Sequence, residues 1–365
     1  MWLKIGIIFT SIFSKTILLL LHLDSFKIMI KKEVAYSILD LAVVSEGKSF
    51  RQTFDDSVTI AQLAENSGYK RYWLAEHHNM DAIGSSATSI LIGKIAEETK
   101  HIRVGSGGIM LPNHSPLIIA EQFGTLGTLY PNRIDLGLGR APGTDQATAS
   151  AIRSDFYEAA MQFPSEVQKI QNYFSVNNKH QQVRANVAEG VDVPLYILGS
   201  STTSAYLAAE KGLPYAFASH FSSAQLIEAL KIYNNQFRPS ETLAQPYTIA
   251  GLSIIIADTD EEAEFLSTSY YSRVIGILTG NRSPLEPPFE VTNEFRRIIQ
   301  QPAVQQMSKY AFIGSKETVK KKVKAFIENT GVDELMAVTN VFDFEDRRKS
   351  VELFAEVMDQ VNKDV

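Results

Sequence analysis

Three short apolar runs between Trp73 and Gly143 decide the fold: WLAEHH at 73–78, IRVGSGGIMLP at 102–112 and RIDLGLGRAPG at 133–143. Two segments with helical character, 85–98 and 116–129, lie between them. Strand, helix, strand, helix, strand is the pattern of a parallel sheet with crossover helices. Ligands bind at the carboxyl edge of such sheets, so we expect functional groups where these strands end.

The same alternation continues along the chain. Eight strand-like segments lie at 36–44, 71–75, 102–106, 133–138, 193–198, 215–218, 247–257 and 334–340. Each is followed by at least one helical segment, and eight such α/β units favour a (β/α)₈ TIM barrel. A doubly wound open sheet is the alternative, because periodicity does not show whether a sheet closes. An irregular stretch, 280–310, follows the seventh strand, and a loop of this length inside a compact chain is usually functional or mobile.

Composition excludes several classes of protein. The 365 residues carry 35 Lys and Arg against 41 Asp and Glu, a formal net charge of −6, and they contain no basic block. Nucleic acid is therefore not expected as a partner. The absence of cysteine excludes disulfides, iron–sulfur clusters and thiolate catalysis.

Residues 1–30 differ from the rest of the chain, because two apolar runs there are broken by Ser14, Lys15 and Thr16. A signal peptide is not favoured, because no small-residue cleavage site follows Leu23. A membrane anchor would have to place Lys15 inside the bilayer, at a cost of about 2.5–3.5 kcal/mol. The favoured interpretation is an over-long gene model, in which translation begins at Met29 and not at Met1. A single barrel domain then occupies residues 31–365. The protein would then be cytoplasmic, and export or membrane attachment is expected only if residues 1–30 are real.

Glu76-His77-His78 closes the second strand-like segment. Neighbouring residues of a strand point to opposite faces, so at most one histidine enters a barrel mouth easily. A histidine there suits a general base or hydrogen-bond donor, since it titrates near neutral pH. A loop histidine that only satisfies backbone groups is the alternative. No metal site is expected, because the H-E-x-x-H spacing and a third ligand are missing.

Three further features follow strand-like segments. Gly107-Gly108 lets a flat ligand or a second backbone approach closely, although a plain turn also explains it. Arg140 either clamps a phosphate or pairs with a nearby acid. The hydroxyl-rich run from Ser200 to Ser204 precedes a helix whose N-terminus attracts anions, unless one hydroxyl simply caps it. Arg140 and this run would converge only in a closed barrel.

Several of these motifs together resemble the bacterial luciferase-like flavin monooxygenases. The matching stretches are WLAEHH at 73–78, GSGGIMLPNHSP at 105–116, AEQFGTL at 120–126, RIDLGLGRAPGTD at 133–145, LGSSTTSAYLAAEKGLPYAFASHF at 198–221 and GVDELM at 331–336. The resemblance covers residues 35–361. It implies a barrel with a mobile lid after strand seven, reduced FMN supplied by a separate reductase, and dioxygen as the oxidant of a small organic substrate.

The resemblance also implies roles for single residues. His77 corresponds to the catalytic histidine of the family, and Gly107-Gly108 to a non-proline cis peptide under the isoalloxazine ring. The remaining cofactor-binding positions fall into two groups: Arg140, Gly199, Ser200 and Thr203 or Ser204 at the phosphate, and Ala42, Leu198 and His220 lining the pocket. The family's reactive but non-essential cysteine near the flavin has no counterpart here. A homodimer is expected, although luciferase proper is a heterodimer.

Three other functions stay open at this point. A deazaflavin-dependent oxidoreductase shares the fold, and only overall likeness favours FMN over deazaflavin. A flavin-binding or storage protein without turnover is the second alternative. The third, a chain without any ligand, would require Arg140 and the Ser200 region to be unrelated surface features.

Overall fold

The computed structural model describes residues 33–364, in which strands and helices alternate. The strands are β1 (Ala35–Asp40), β2 (Arg71–Leu74), β3 (Arg103–Met110), β4 (Ile134–Gly139), β5 (Leu195–Gly199), β6 (Tyr215–Phe217), β7 (Thr248–Ile256), β8 (Ala311–Gly314) and β9 (Glu334–Val338). The helices are α1 (Phe50–Asn66), α2 (Thr88–Glu98), α3 (Pro116–Leu129), α4 (Gln146–Ile152), α5 (Phe156–Met161), α6 (Phe163–Phe174), α7 (Thr202–Lys211), α8 (Leu226–Gln236), α9 (Asp260–Thr279), α10 (Asn293–Ile299), α11 (Pro302–Met307), α12 (Lys316–Thr330) and α13 (Phe344–Lys363). The extension predicted for residues 1–30 lies outside the described residues.

Eight of the strands close into a parallel barrel. Strands β1 to β6 pair in sequence order, β6 pairs with β7, β7 with β9, and β9 with β1. The predicted TIM barrel is therefore confirmed, and the open doubly wound sheet is wrong because both edges of the sheet are joined. Each predicted strand corresponds to one of these eight. Strand β8 was not predicted; it pairs outside the barrel with the last residues of β7, Ser253–Ile256.

Local sequence explains why the elements start where they do. Ser49 accepts a hydrogen bond from the backbone of Gln52 and forms a capping box at the start of α1. Thr259 caps α9 in the same way, and three acidic residues occupy the first turn of that helix, where its dipole favours negative charge. All nine residues of β7 are buried, which explains its nearly continuous apolar sequence.

A buried ionic network fills the amino end of the barrel. Arg71 Nη1 donates to Asp135 Oδ2 at 2.6 Å and to the Tyr196 hydroxyl at 2.7 Å. Arg71 Nε donates to Glu334 Oε1 at 2.8 Å. Above this layer the lumen is apolar, formed by Leu39, Trp73, Ala75, Tyr196, Ala216, Ile249, Met336 and Val338. The barrel is thus closed at its amino end and open for a ligand only at the carboxyl end.

The insertion after β7 crosses the mouth of the barrel. Beyond the end of α9, Arg282 Nη1 contacts Asp145 Oδ2 at 2.7 Å, in the loop after β4. Leu285 then donates its backbone N–H to Val44 O at 2.8 Å, in the loop after β1. The predicted insertion after strand seven is therefore confirmed, while the lid role expected for residues 280–310 stays a prediction. We call α9 together with residues 280–288 the lid segment.

The description of 280–310 as wholly irregular was wrong. Helices α10 and α11 lie within it, because Thr292 caps the first and Pro302 occupies the first turn of the second. Proline is well tolerated at this position, since the first N–H groups of a helix have no partner within it. Among residues 33–364, no helix is long and apolar enough to cross a membrane.

Candidate active site at the carboxyl end of the barrel

A buried carboxylate, Glu76, organises the loops around the end of β2. His78 Nε2 lies 2.9 Å from Glu76 Oε1, and His114 Nε2 lies 2.9 Å from the same oxygen. Asn113 Nδ2 donates to Glu76 Oε1 at 3.0 Å, and the Met110 N–H donates to Glu76 Oε2 at 2.9 Å. Burial opposes the charge, but these hydrogen bonds outweigh it and lower the pKa of Glu76 to about 2. Glu76 therefore joins the β2 and β3 loops as an anion.

We expect Glu76 to make the stability of the protein depend on acid pH. Its folded-state pKa lies below the ordinary value of 4.5, so its stabilisation is present above pH 4.5 and is lost as the pH falls towards 2. Such a shift corresponds to about 3 kcal/mol. Urea unfolding of the wild type and Glu76→Gln from pH 7 to pH 3 should show a difference that shrinks below pH 4.5. A constant difference would contradict this account.

His77 is held in one tautomer beside this carboxylate. Its Nδ1 lies 2.6 Å from the Glu76 carbonyl oxygen, and because a carbonyl only accepts, Nδ1 carries the hydrogen. Nε2 is then left as an acceptor. Burial, followed by the positive charge of Arg273 on α9, lowers the pKa of His77 to about 4. At neutral pH His77 is therefore an uncharged ring with a free lone pair, which is the form of a general base.

His220, after β6, belongs to the same group. Burial and the nearby His77 lower its pKa to about 4. A Cβ built on Gly251 of β7 would lie 2.4 Å from His220 Nδ1, so the ring packs directly against that strand. This Nδ1 is buried and has no hydrogen-bond partner among the described residues.

Gly107 and Gly108 form a flat backbone surface where β3 ends. The peptide bond between them is cis, as the resemblance implied. A Cβ on Gly107 would lie 2.7 Å from Leu39 Cδ1, and one on Gly108 would lie 3.1 Å from Leu198 Cδ2. A side chain at either position would therefore collide with Leu39 or Leu198, whose side chains lie beside the lumen. Leu198 packs against this surface, while the role of Leu198 in lining a flavin pocket and of the surface under a flavin ring stay predictions.

Arg140 and the start of α7 lie side by side. Leu138 of β4 pairs with Ile197 of β5, so these neighbouring parallel strands bring Arg140 and the run that begins at Gly199 to the same edge of the barrel. Arg140 is exposed and forms no ion pair with any residue that the structure describes. The alternative that it pairs with a neighbouring acid is therefore wrong. An unpaired arginine at a helix N-terminus is a ready site for an anion.

The hydroxyl-rich run itself is less uniform than its sequence suggests. The Ser201 side chain occupies the capping position of α7 but makes no capping hydrogen bond, so simple capping by a residue of the run does not explain it. Gln225 Oε1 instead accepts a hydrogen bond from the Thr202 N–H at 3.2 Å. The Ser204 hydroxyl donates to Ser201 O at 2.8 Å and contacts the Tyr215 hydroxyl at 3.0 Å. Ser200 and Thr203 are exposed. Ser204 therefore orders the turn, whereas Ser200 and Thr203 remain available to a ligand.

Ala42, in the loop that follows β1, has an unusual backbone conformation. It is fully buried and has φ = 50°, a left-handed backbone that non-glycine residues rarely adopt. Its N–H donates to Asp40 Oδ1 at 2.9 Å, and Asp40 in turn is paired with Arg347 at 2.8 Å. The conformation is thus supported by a buried ion pair below the mouth.

Sequence reasoning missed three residues of this site: Asn113 and His114, which hold Glu76, and Arg273, whose charge acts on His77. The first two lie in the quoted motif GSGGIMLPNHSP, but nothing local shows what they contact. Arg273 is the single basic residue of α9, within its apolar second half. A lone charge in an apolar stretch of helix was therefore the sequence signal that could have identified Arg273 as a site residue.

A model of the luciferase-like monooxygenase family matches residues 34–334. The chain belongs to this family. A luciferase-like monooxygenase of Escherichia coli is 45% identical over 333 residues, covering 91% of this chain and 99% of that protein. The uncharacterised Bacillus subtilis protein YvbT is 48% identical, covering 90% and 97%. The N-acetyl-S-alkylcysteine monooxygenase of B. subtilis is 29% identical, covering 89% and 98%.

Solved structures agree with this family. Apo-MsnO8 has a TM-score of 0.81 and 31% identity, and the match covers 89% of this chain and 98% of that one. The oxygenating constituent of 3,6-diketocamphane monooxygenase from Pseudomonas putida, solved with FMN, has a TM-score of 0.68 at 18% identity, covering 90% and 98%. An F420-dependent secondary alcohol dehydrogenase has a TM-score of 0.67 at 14% identity, covering 90% and 99%. The last two show a shared fold alone. Family membership makes the chain an oxidoreductase.

Proposed function

We propose that the protein is a monooxygenase that uses reduced FMN and dioxygen to oxidise a small organic substrate. The observation that carries this proposal is the convergence of three features at one barrel mouth. Arg140 and the remaining N–H groups at the start of α7 suit a phosphate, the flat Gly107-Gly108 surface suits a planar ring, and His77 presents a free Nε2 lone pair. FMN carries both a phosphate and a planar ring, so it needs the first two of these features together.

Each group has a defined task in this proposal. Arg140, the α7 N–H groups, Ser200 and Thr203 hold the phosphate, while Gly107-Gly108 and Leu198 support the ring. Bound reduced FMN supplies the electrons that activate dioxygen. The lid segment keeps water from the mouth, and His77 accepts a proton there through Nε2.

The relatives support an oxygenase with a separate reductase. The diketocamphane enzyme is described as an oxygenating constituent, and a trigonelline monooxygenase of Acinetobacter baylyi, 20% identical to this chain, as an oxygenase component. We infer that this chain likewise receives reduced FMN from a transient reductase partner. A homodimer remains our expectation for its assembly.

An F420-dependent activity is the second candidate, because proteins of the same fold use that deazaflavin. Both cofactors offer a planar ring and a phosphate, so the contacts above suit either. The absorption spectrum of the bound cofactor distinguishes them, since FMN has two oxidised bands and the deazaflavin a single blue-shifted one. Release of F420 from the purified protein would overturn the FMN proposal.

The proposal predicts that Arg140→Gln weakens binding of reduced FMN by about 10–100-fold, because a charge-assisted hydrogen bond to phosphate is lost. The measurement is an anaerobic titration of the full chain with reduced FMN. Riboflavin, which lacks the phosphate, is the matched control, and its affinity should be equal for both proteins. Equal FMN affinity would remove Arg140 from the site.

Turnover needs a further measurement, since a storage protein would bind FMN equally well. Dioxygen is admitted to the reduced complex with a panel of organic compounds, and oxygenated product is quantified against hydrogen peroxide. Product with at least one compound supports the monooxygenase. Peroxide alone across the whole panel would favour a flavin-binding protein without turnover.

A further inference from the structure

Arg273 lies on a covered stripe of the lid helix. Ser269, one turn earlier on the same side of α9, is fully buried, and Leu266, a further turn back, is 6% exposed. Arg273 itself is half-buried. The side of α9 that carries Arg273 is therefore packed against the protein and does not face solvent.

The lid segment turns this stripe towards the mouth. Shortly after α9 ends, Arg282 contacts Asp145 and the Asn79 carbonyl oxygen, and Leu285 pairs with the loop after β1. These contacts hold the last turns of α9 above the loops that follow β1, β2 and β4. The positive charge of Arg273 accordingly acts on His77, in the loop after β2. Arg273 therefore lies near enough to His77 for its charge to act on that ring.

The half-buried Arg273 differs from Arg71 and Arg347 because no carboxylate pairs with it. Arg71 is paired with Asp135 at 2.6 Å, and Arg347 with Asp40 at 2.8 Å. Among residues 33–364 no acid pairs with Arg273, and burial alone lowers its pKa to about 10. An unpaired desolvated cation is costly, so such a charge is usually kept for a partner.

Two neighbouring polar atoms also lack partners. Ser269 Oγ and His220 Nδ1 are both buried without a hydrogen bond to any described residue. Ser269 lies on the same stripe as Arg273, and His220 interacts with His77. Buried polar groups in folded proteins are nearly always satisfied, so these two atoms mark an unmet polar demand close to Arg273, although neither is itself open to the mouth.

We propose that Arg273 binds the carboxylate of the organic substrate. This inference rests on the proposed function, in which the flavin ring occupies Gly107-Gly108 and its phosphate lies at Arg140. Arg273 reaches the mouth from the lid segment, whereas the flavin contacts come from the barrel strands and their loops. It is thus positioned for the second molecule, the organic substrate. The planar guanidinium matches a carboxylate with two parallel hydrogen bonds. The lumen beneath is apolar, so the rest of the substrate is an uncharged organic body.

The inference is tested by calorimetric titration of the full chain with octanoate and 3-phenylpropionate, each compared with its uncharged amide. The wild type should bind at least one acid about 10–100-fold more tightly than its amide. Arg273→Gln should abolish this preference, and Arg273→Lys should retain part of it. No preference in the wild type, or a preference that survives in Arg273→Gln, would overturn the inference.

FMN affinity separates this inference from the proposed function. Arg273→Gln should bind FMN as the wild type does, whereas Arg140→Gln should not. If Arg273→Gln weakens FMN binding tenfold and keeps the preference for acids, Arg273 belongs to the flavin site and the inference fails. If the wild type does not bind FMN yet prefers acids, the proposed function fails and the inference stands.

A titration of His77 checks the geometry without any ligand. Burial is the main cause of the lowered pKa of His77 and the charge of Arg273 is the second, so Arg273→Gln should raise this pKa above about 4, as followed by NMR of the imidazole protons. Thermal unfolding shows whether Arg273→Gln and Arg273→Lys are folded. An unchanged His77 titration in folded Arg273→Gln would show that the charge of Arg273 does not act on His77, and would overturn the inference.

Discussion

His77→Ala should lower the rate of substrate oxygenation by about 10²–10⁴-fold, the usual contribution of a positioned acid or base. The affinity for reduced FMN should stay within about twofold, because the phosphate contacts lie at Arg140 and α7. His77 donates through Nδ1 to the Glu76 carbonyl at 2.6 Å, so only Nε2 is available to the reaction. Alanine leaves the loop contacts of Glu76 in place and removes the lone pair.

The pH dependence gives a second readout of His77. Its pKa of about 4 keeps the ring neutral throughout the range from pH 6 to 8, so its ionisation should cause no change of rate there. A fall in rate near pH 4 should be present in the wild type and absent in His77→Ala. The measurement is product formation in single turnovers of the reduced FMN complex. His101→Ala is the matched control, since His101 is exposed and lies at the start of β3, at the other end of the barrel. Equal product formation by His77→Ala and wild type would remove His77 from the mechanism.

Arg71→Met should lower the free energy of unfolding by about 3–5 kcal/mol, since it leaves two carboxylates buried without their shared cation. Arg71 is 2% exposed, and Asp135 and Glu334 are fully buried. Each acid keeps other donors: Arg103 at 2.6 Å and Trp73 Nε1 at 3.0 Å for Asp135, and the hydroxyls of Tyr247 and Ser37 for Glu334. These contacts do not replace a guanidinium that binds both.

Urea unfolding with a matched surface pair tests this account. Arg184 and Glu189 form an ion pair of 2.7 Å in which Arg184 is 40% exposed, so Arg184→Met should cost less than about 1 kcal/mol. Adding Glu334→Gln to Arg71→Met should recover part of the loss, because one uncompensated charge is removed. A cost for Arg71→Met as small as that of Arg184→Met would mean that the network does not hold the barrel floor.

Local pattern was sufficient for the eight barrel strands and for the end of the barrel at which the candidate site lies. Each of the eight barrel strands was predicted, because a short apolar run followed by a helical segment is a property of neighbouring residues. Since parallel strands bring their carboxyl ends to one edge, His77, Gly107-Gly108 and Arg140 were expected at the same end of the sheet. The cis geometry at Gly107-Gly108 came from family resemblance, since a glycine pair is locally compatible with a plain turn.

What the local pattern could not supply depends on residues distant in the chain. Whether Arg140 is paired, or the Ser204 hydroxyl is already used by Tyr215, is decided by which strands become neighbours. The burial of Arg273 without a carboxylate follows from the lid crossing the mouth, a contact between residues more than 100 positions apart. Propensity and periodicity are short-range properties, and so the sequence alone established the alternating barrel pattern and the end at which the chemistry lies. Closure, the pairing of each charge and the shift in each pKa were decided only by tertiary packing, because desolvation and Coulomb interactions depend on distances in space and not along the chain.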